Sequence, residues 1–175
     1  KRVQIGFTIT KEAMEDDLYK THFPMQAVSL RNSLRTTKNV LGANILNNAF
    51  NASYPTGDGQ PICSINHPID GGVFSNRLTV GAAFSQAAIQ DMLILMQKMP
   101  MQSGILAQTM AQKLIIPPEL QFNASIILNS TFRTGVVTND INAVYHGDYI
   151  PKGYKINHFL TDPLAFFILT DAPDG

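Results

Sequence analysis

The feature that most constrains how this chain folds is a helical pattern running from Thr10 to Phe50. From Phe23 onward, apolar residues recur at Ala27, Leu30, Leu34, Leu41, Ile45 and Ala49. Steps of three, four and seven place them on one stripe of a helix with a 3.6-residue period. Arg31, Arg35 and Lys38 are expected to turn away from it, and the stripe, with Leu34, Leu41 and Ile45 in it, is expected to be buried. Thr10 can cap the start by accepting a bond from a free amide of the first turn. Glu12, Glu15, Asp16 and Asp17 crowd the end where the helix dipole favours negative charge. Pro24 has no amide hydrogen, and its ring crowds the preceding turn. The expectation is a short first helix, a break near His22 to Pro24, and a long helix reaching about Phe50. About 25 helical residues span roughly 37 Å, enough for a spine across which other elements lie.

Composition narrows the rest. Hydrophobic residues make up 45% of the 175-residue chain and charged residues 15%. The first figure supports one core or two small ones. The second falls below the usual quarter, as on a surface that meets other protein. Net charge is zero, so the electrostatic signature of a nucleic-acid or membrane-surface binder is missing. With Cys63 as the single cysteine, neither an internal disulfide nor a cysteine metal cluster is available. No apolar run approaches the roughly 20 residues that span a bilayer. The chain begins at Lys1 rather than at methionine, as a processed product or the ordered part of a longer one would.

Taken in order, Val3, Ile5, Phe7 and Ile9 alternate with polar residues and predict a half-buried strand leading into the helix. Asn51 to Gly59 is turn-rich. Pro61 to Ile65 reads as a short strand, His67 to Gly72 as a second turn cluster, and Leu78 to Val80 as a short apolar piece. Ser85 should cap a helix running to about Lys98, with Ala88, Ile89, Met92, Leu93 and Met96 inward, ended by Pro100 and Gly104. Lys113 to Pro117 predicts a short buried strand. Pro118 then suits the first turn of a helix, with Leu120, Ala124, Ile127 and Leu128 facing in. Thr131 to Tyr149 reads as a polar loop or loose hairpin, exposed, with turns at Asn139, Asp140 and Asn142. Lys155 to Leu160 and Ala165 to Thr170 predict two strands around the turn Thr161-Asp162-Pro163. The pattern is α+β.

Candidate chemistry is thin. Cys63, His67 and Asp70 have the residue types of a thiol nucleophile, its base and an orienting acid, which makes a cysteine-dependent hydrolase the alternative from another functional class. They share one turn-rich segment, however, and a buried thiol beside a turn histidine is the simpler reading. His22, His67, His146 and His158 show no metal-ligand spacing. The acidic cluster from Glu12 to Asp17 is explained by helix-start electrostatics. Gly57-Asp58-Gly59 matches neither a phosphate loop nor a dinucleotide fingerprint. Met92, Met96, Met99 and Met101 read as core filling. No catalytic, cofactor-binding or metal-ligating residue is therefore expected.

Seven strings carry a family resemblance: GFTITKEAMEDDLY at Gly6 to Tyr19, NVLGANILNNAF at Asn39 to Phe50, GDGQPICSINHP at Gly57 to Pro68, SNRL at Ser75 to Leu78, LIIPPELQFNASIILNS at Leu114 to Ser130, NDIN at Asn139 to Asn142, and HFLTDPLAFFIL at His158 to Leu169. In this order they resemble the major capsid, or major head, proteins of tailed bacteriophages, in the branch of the Mu-like head subunits. One departure is the family's tryptophan after Asp-Pro, where this chain has Phe166 and Phe167.

The resemblance implies the tailed-phage capsid fold, with a peripheral domain on a spine helix and an axial domain facing the capsomer axis. Residues 1–50 would be the end of a long-loop strand plus the spine, and residues 51–175 mostly axial domain. The arm, most of the loop and the strands returning to the spine would lie outside this portion, which alone should be marginally stable and form irregular oligomers. The implied function is structural: self-association into hexamers and pentamers that close an icosahedral head around phage DNA. No cofactor is implied. Implied partners are copies of itself, portal, scaffold or decoration proteins, and packaged DNA through weak non-specific contact, with no membrane. The implied location is the virion, assembled in the host cytoplasm. Residues 133–150 would lie near the capsomer axis.

Overall fold

The computed structural model describes residues 3–6, 8, 10–15, 19–133 and 140–172. The chain divides into two compact units, Lys1–Ala43 and Asn44–Gly175.

The first unit holds α1 (Lys11–Glu15) and most of α2 (Tyr19–Asn47). The Met14 amide donates to the Thr10 carbonyl at 3.3 Å, and Lys11 pairs with Glu15 at 3.6 Å on the solvent side. Val3 to Gly6 are irregular and exposed, not the expected strand. Phe7, Ile9, Asp16 and Asp17, on which parts of these expectations rest, lie outside the described residues, as does Asn139 further on.

The break expected near Pro24 does not occur there: Pro24 sits inside α2. It is the sixth residue from Tyr19, just beyond the first turn, whose amides have no helical partner in any case. The loss is one bond, and the helix continues to Asn47. Arg31, Arg35 and Lys38 are exposed as expected. They do not oppose the stripe, however: Lys38 is four residues from Leu34 and three from Leu41 and shares their face, and the large apolar members of the stripe are not buried. Leu34 is 37% exposed, Leu41 36% and Ile45 57%. The period does line them up, but among the described residues no sheet or second long helix lies over that face in the first unit. Burial needs a covering element as well as a stripe.

The second unit is built on a three-stranded sheet in the order β4-β3-β5. Its central strand β3 (Ala111–Ile116) runs parallel to β4 (Tyr154–Ile156), pairing Leu114 with Tyr154 and Ile116 with Ile156. It runs antiparallel to β5 (Phe167–Thr170), pairing Leu114 with Ile168 and Ile115 with Phe167. A register shift between Ala111 and Lys113 inserts one residue, so Ala111 and Leu114, three apart, both turn inward. Ile116 follows at the normal step of two. The two C-terminal strands thus exist, but each pairs with β3 rather than with the other.

One face of this sheet is covered by α3 (Gln86–Gln97) and α4 (Gln121–Asn129), which with it form a core around Ile89, Leu93, Met96, Leu114, Ile116, Leu120, Ala124 and Ile127. The Ser85 side chain accepts from the Ala88 amide at 3.2 Å and caps α3. Pro117 is extended, Pro118 opens a 3-10 turn to Leu120, and α4 follows directly. The strand-to-helix junction therefore falls at the two prolines, neither of which has an amide to lose. A separate hairpin of β1 (His67–Ile69) and β2 (Gly72–Phe74) occupies the segment expected as a turn cluster. Its turn includes Gly71, at φ +91°, where a side chain would be strained. The expected strand from Pro61 to Ile65 is absent. This segment is held by single bonds instead, among them the Cys63 amide to the Ala49 carbonyl at 2.7 Å.

Candidate functional site

Three constellations in the second unit were candidates for a working site. The first comes from the turn-rich segment of residues 56–77. The sequence pointed to Cys63, His67 and Asp70 as a possible set. The structure joins His67 to Asp58 instead, with Nδ1 2.6 Å from the carboxylate. An ionised carboxylate only accepts, so Nδ1 carries the hydrogen. Asp58 also accepts from the Thr56 hydroxyl and from the Gln60 amide at 3.0 Å. The His67 bond first, then those from Thr56 and Gln60, hold the Asp58 carboxyl well below its ordinary value of 3.8.

Asp70 lies at the far end of the β1–β2 hairpin, where its backbone amide donates to the Gln102 carbonyl at 3.0 Å. No hydrogen bond links Cys63 to His67 among the described residues. Burial pushes the Cys63 thiol above its ordinary value, and the nearby Arg77 charge opposes this only in part. A thiol held protonated is a poor nucleophile. His67 is buried and stacks on Phe74, with ring centroids 5.2 Å apart. Its Nε2 has no partner among the described residues. The arrangement pins a loop to a hairpin; it does not assemble a thiol, a base and an acid in one place. His146 and His158 are exposed, and no group of three or more His, Cys, Asp or Glu converges among the described residues.

The second constellation went unread in the sequence. Asn142 was expected in an exposed turn, but it is 1% exposed. Its Nδ2 donates to the carbonyls of Ile127 at 2.6 Å and Ser130 at 2.9 Å. Its Oδ1 accepts from the Val144 amide at 3.1 Å and from Gln86 Nε2 at 3.0 Å. One amide thereby closes the C-terminal end of α4, caps α5 (Ala143–His146) and ties both to α3. Val144 and Ile150 are buried with it. The segment expected to be a free loop is therefore partly core, and Phe132 bridges Ile141 across its base. The NDIN string holds an Asn-X-X pattern typical of a cap, but nothing in it tells a buried cap from an exposed turn.

The third is a half-open apolar cleft of about 260 Å³. Phe50, Leu78, Met92, Leu164 and Phe166 form its walls, with Cys63 and Arg77 among the lining. Phe50 stacks on Phe167 at 5.8 Å, and Phe84 meets Phe166 edge-on at 5.2 Å. The Arg77 guanidinium lies 5.7 Å from the Phe50 ring centroid, and its buried Nε has no partner among the described residues. Of the methionines, Met96 is buried and Met92 and Met99 half-buried, whereas Met101 is 51% exposed, so it does not fill the core as expected. The cleft joins apolar walls to one guanidinium.

Comparison with protein families gives a match over residues 1–173 to the family described as phage capsid protein. No curated protein and no solved structure matches the chain.

Proposed function

This chain belongs to the phage capsid protein family, and from that premise we propose that many copies of it form hexamers and pentamers closing an icosahedral head around phage DNA. The family match over nearly the whole chain is the observation that carries this reading. It makes the protein a structural component of the virion. Within the family, the seven strings from Gly6 to Leu169 favour the Mu-like head subunits. On that reading residues 1–50 are the loop end and spine, and residues 51–175 mostly axial domain.

Two further features support a self-associating subunit. Leu34, Leu41 and Ile45 present an aligned apolar stripe to solvent, and stripes of this kind mark contact surfaces. A zero net charge keeps identical copies from repelling one another and leaves packaged DNA only weak, non-specific contacts. Among the described residues no helix is long and apolar enough to cross a membrane. Portal, scaffold or decoration proteins are the other expected partners, and assembly takes place in the host cytoplasm. Electron microscopy with native mass spectrometry of the full gene product tests the proposal. Rings of five and six, or closed shells, are expected; a stable monomer at all concentrations overturns it.

A further inference from the structure

The second unit carries a projection and a cleft of matching character. The projection is the tight hairpin from Met99 to Ala107. It is held by the Met101 amide to the Ile105 carbonyl at 2.6 Å and the Ala107 amide to the Met99 carbonyl at 2.8 Å. Gly104, at φ +78°, makes the reversal. Beside the polar apex Gln102-Ser103-Gly104, three apolar side chains are open to solvent: Met101 is 51% exposed, Ile105 67% and Leu106 56%. The bond from Asp70 to Gln102 fastens it to the β1–β2 hairpin. That places Asp70 beside the tip, with its carboxylate in no ion pair or hydrogen bond among the described residues.

The cleft offers the converse. Its walls are largely apolar, and its cation, Arg77, lies over the Phe50 ring with a buried Nε that has no partner among the described residues. Asp162 also lines it, but that carboxylate is tied into its own turn by the Leu164 amide at 2.9 Å. A buried donor without a partner is rare enough to need a reason. A carboxylate brought into the cleft on an apolar body would pair with the guanidinium charge.

We propose that the Met101–Leu106 tip of one copy enters the Phe50–Phe166 cleft of the next, with Asp70 of the first facing Arg77 of the second. The proposal rests on the reading of this chain as a self-associating subunit and names the contact through which copies join. Apolar side chains of the tip meet apolar walls of the cleft, and the Asp70 carboxylate meets the Arg77 guanidinium, so the charges complement as well as the surfaces. The two patches differ, which makes the contact heterologous. A heterologous contact repeats head to tail and closes into a ring when the rotation allows.

The chain's only cysteine provides the test, because Cys63 lines the cleft. An Ile105→Cys variant of the full gene product puts a second thiol on the exposed tip of every copy. Diamide, which takes up the two electrons and two protons released by each disulfide, is added to the assembled protein. Since every copy then offers both partners, a denaturing non-reducing gel should show a ladder extending past the dimer. Adding Cys63→Ala should abolish everything above the dimer. In parallel, Asp70→Arg or Arg77→Asp alone should weaken assembly about tenfold or more, and the pair together should largely restore it. Assembled particles that give no ladder above the dimer even after prolonged oxidation at alkaline pH, and in which the Asp70→Arg and Arg77→Asp changes leave assembly unweakened, overturn this contact and leave the capsid reading standing. Failure of the unmodified gene product to assemble at all overturns that reading, and this contact with it.

Discussion

Replacing Asn142 by alanine should be among the most damaging single changes available in the second unit. The side chain is 1% exposed and makes four hydrogen bonds. Losing the cap on the Val144 amide costs about 0.5–2 kcal/mol. The Ile127 carbonyl sits in the last turn of α4 with no helical partner. Left buried and unpaired, it adds about 1–3 kcal/mol. Ser130 is only half-buried, so water can replace part of that bond, and Gln86 can turn outward. The total is about 1.5–5 kcal/mol, a large share of the roughly 5–15 kcal/mol that holds a typical domain. Urea denaturation followed by circular dichroism measures it, provided the slope is unchanged. A loss below about 1 kcal/mol would show that the network is ornamental and the reasoning wrong. Asn142→Asp sharpens the test. It keeps the acceptor for Val144 but sets a negative charge against two carbonyls. It should destabilise at least as much as alanine at neutral pH. The loss should ease in acid, where the carboxyl is protonated and again donates one bond.

Three other outcomes follow from the geometry. Leu114→Ala, in the fully buried centre of β3, should cost about 2–5 kcal/mol, while Leu41→Ala on the open stripe should cost the unassembled chain under about 1 kcal/mol; equal losses in denaturation midpoints would contradict the burial pattern. Because the folded Asp58 carboxyl titrates below its ordinary 3.8, its contribution is complete above that value and is lost as pH falls through the lower, folded one; an acid titration of stability should lose slope in Asp58→Asn, and an unchanged slope would refute the role of the His67 bond. Burial holds the Cys63 thiol protonated, so a disulfide probe at neutral pH should label it at least about tenfold more slowly than the unfolded chain does; equal rates would mean that the thiol is free and reactive.

What could be read from the residues was whatever depends on neighbours in sequence. Ser85 and the 3.6-residue spacing after it determine α3. The two prolines at 117 and 118 divide β3 from α4. The alignment of Leu34, Leu41 and Ile45 on one face of α2 was also legible. The family was legible too, because seven short strings kept their order along the chain.

The tertiary structure decided what depends on partners distant in sequence. Whether the α2 stripe is buried rests on what lies over it, and a period carries no information about that. Val3 to Gly6 alternate in sequence but take an irregular, exposed backbone. Lys155 to Leu160 and Ala165 to Thr170 read as two strands around a turn, but which strand each would pair with was not legible; β3 lies between them and pairs with both. His67 was grouped with Cys63 and Asp70 by nearness along the chain, yet the turn at Asp58 brings a carboxylate within 2.6 Å. Asn142 has the composition of a surface turn. It is buried because the end of α4 leaves carbonyls that its amide alone can reach, and that need arises only once α3, α4 and α5 have packed together.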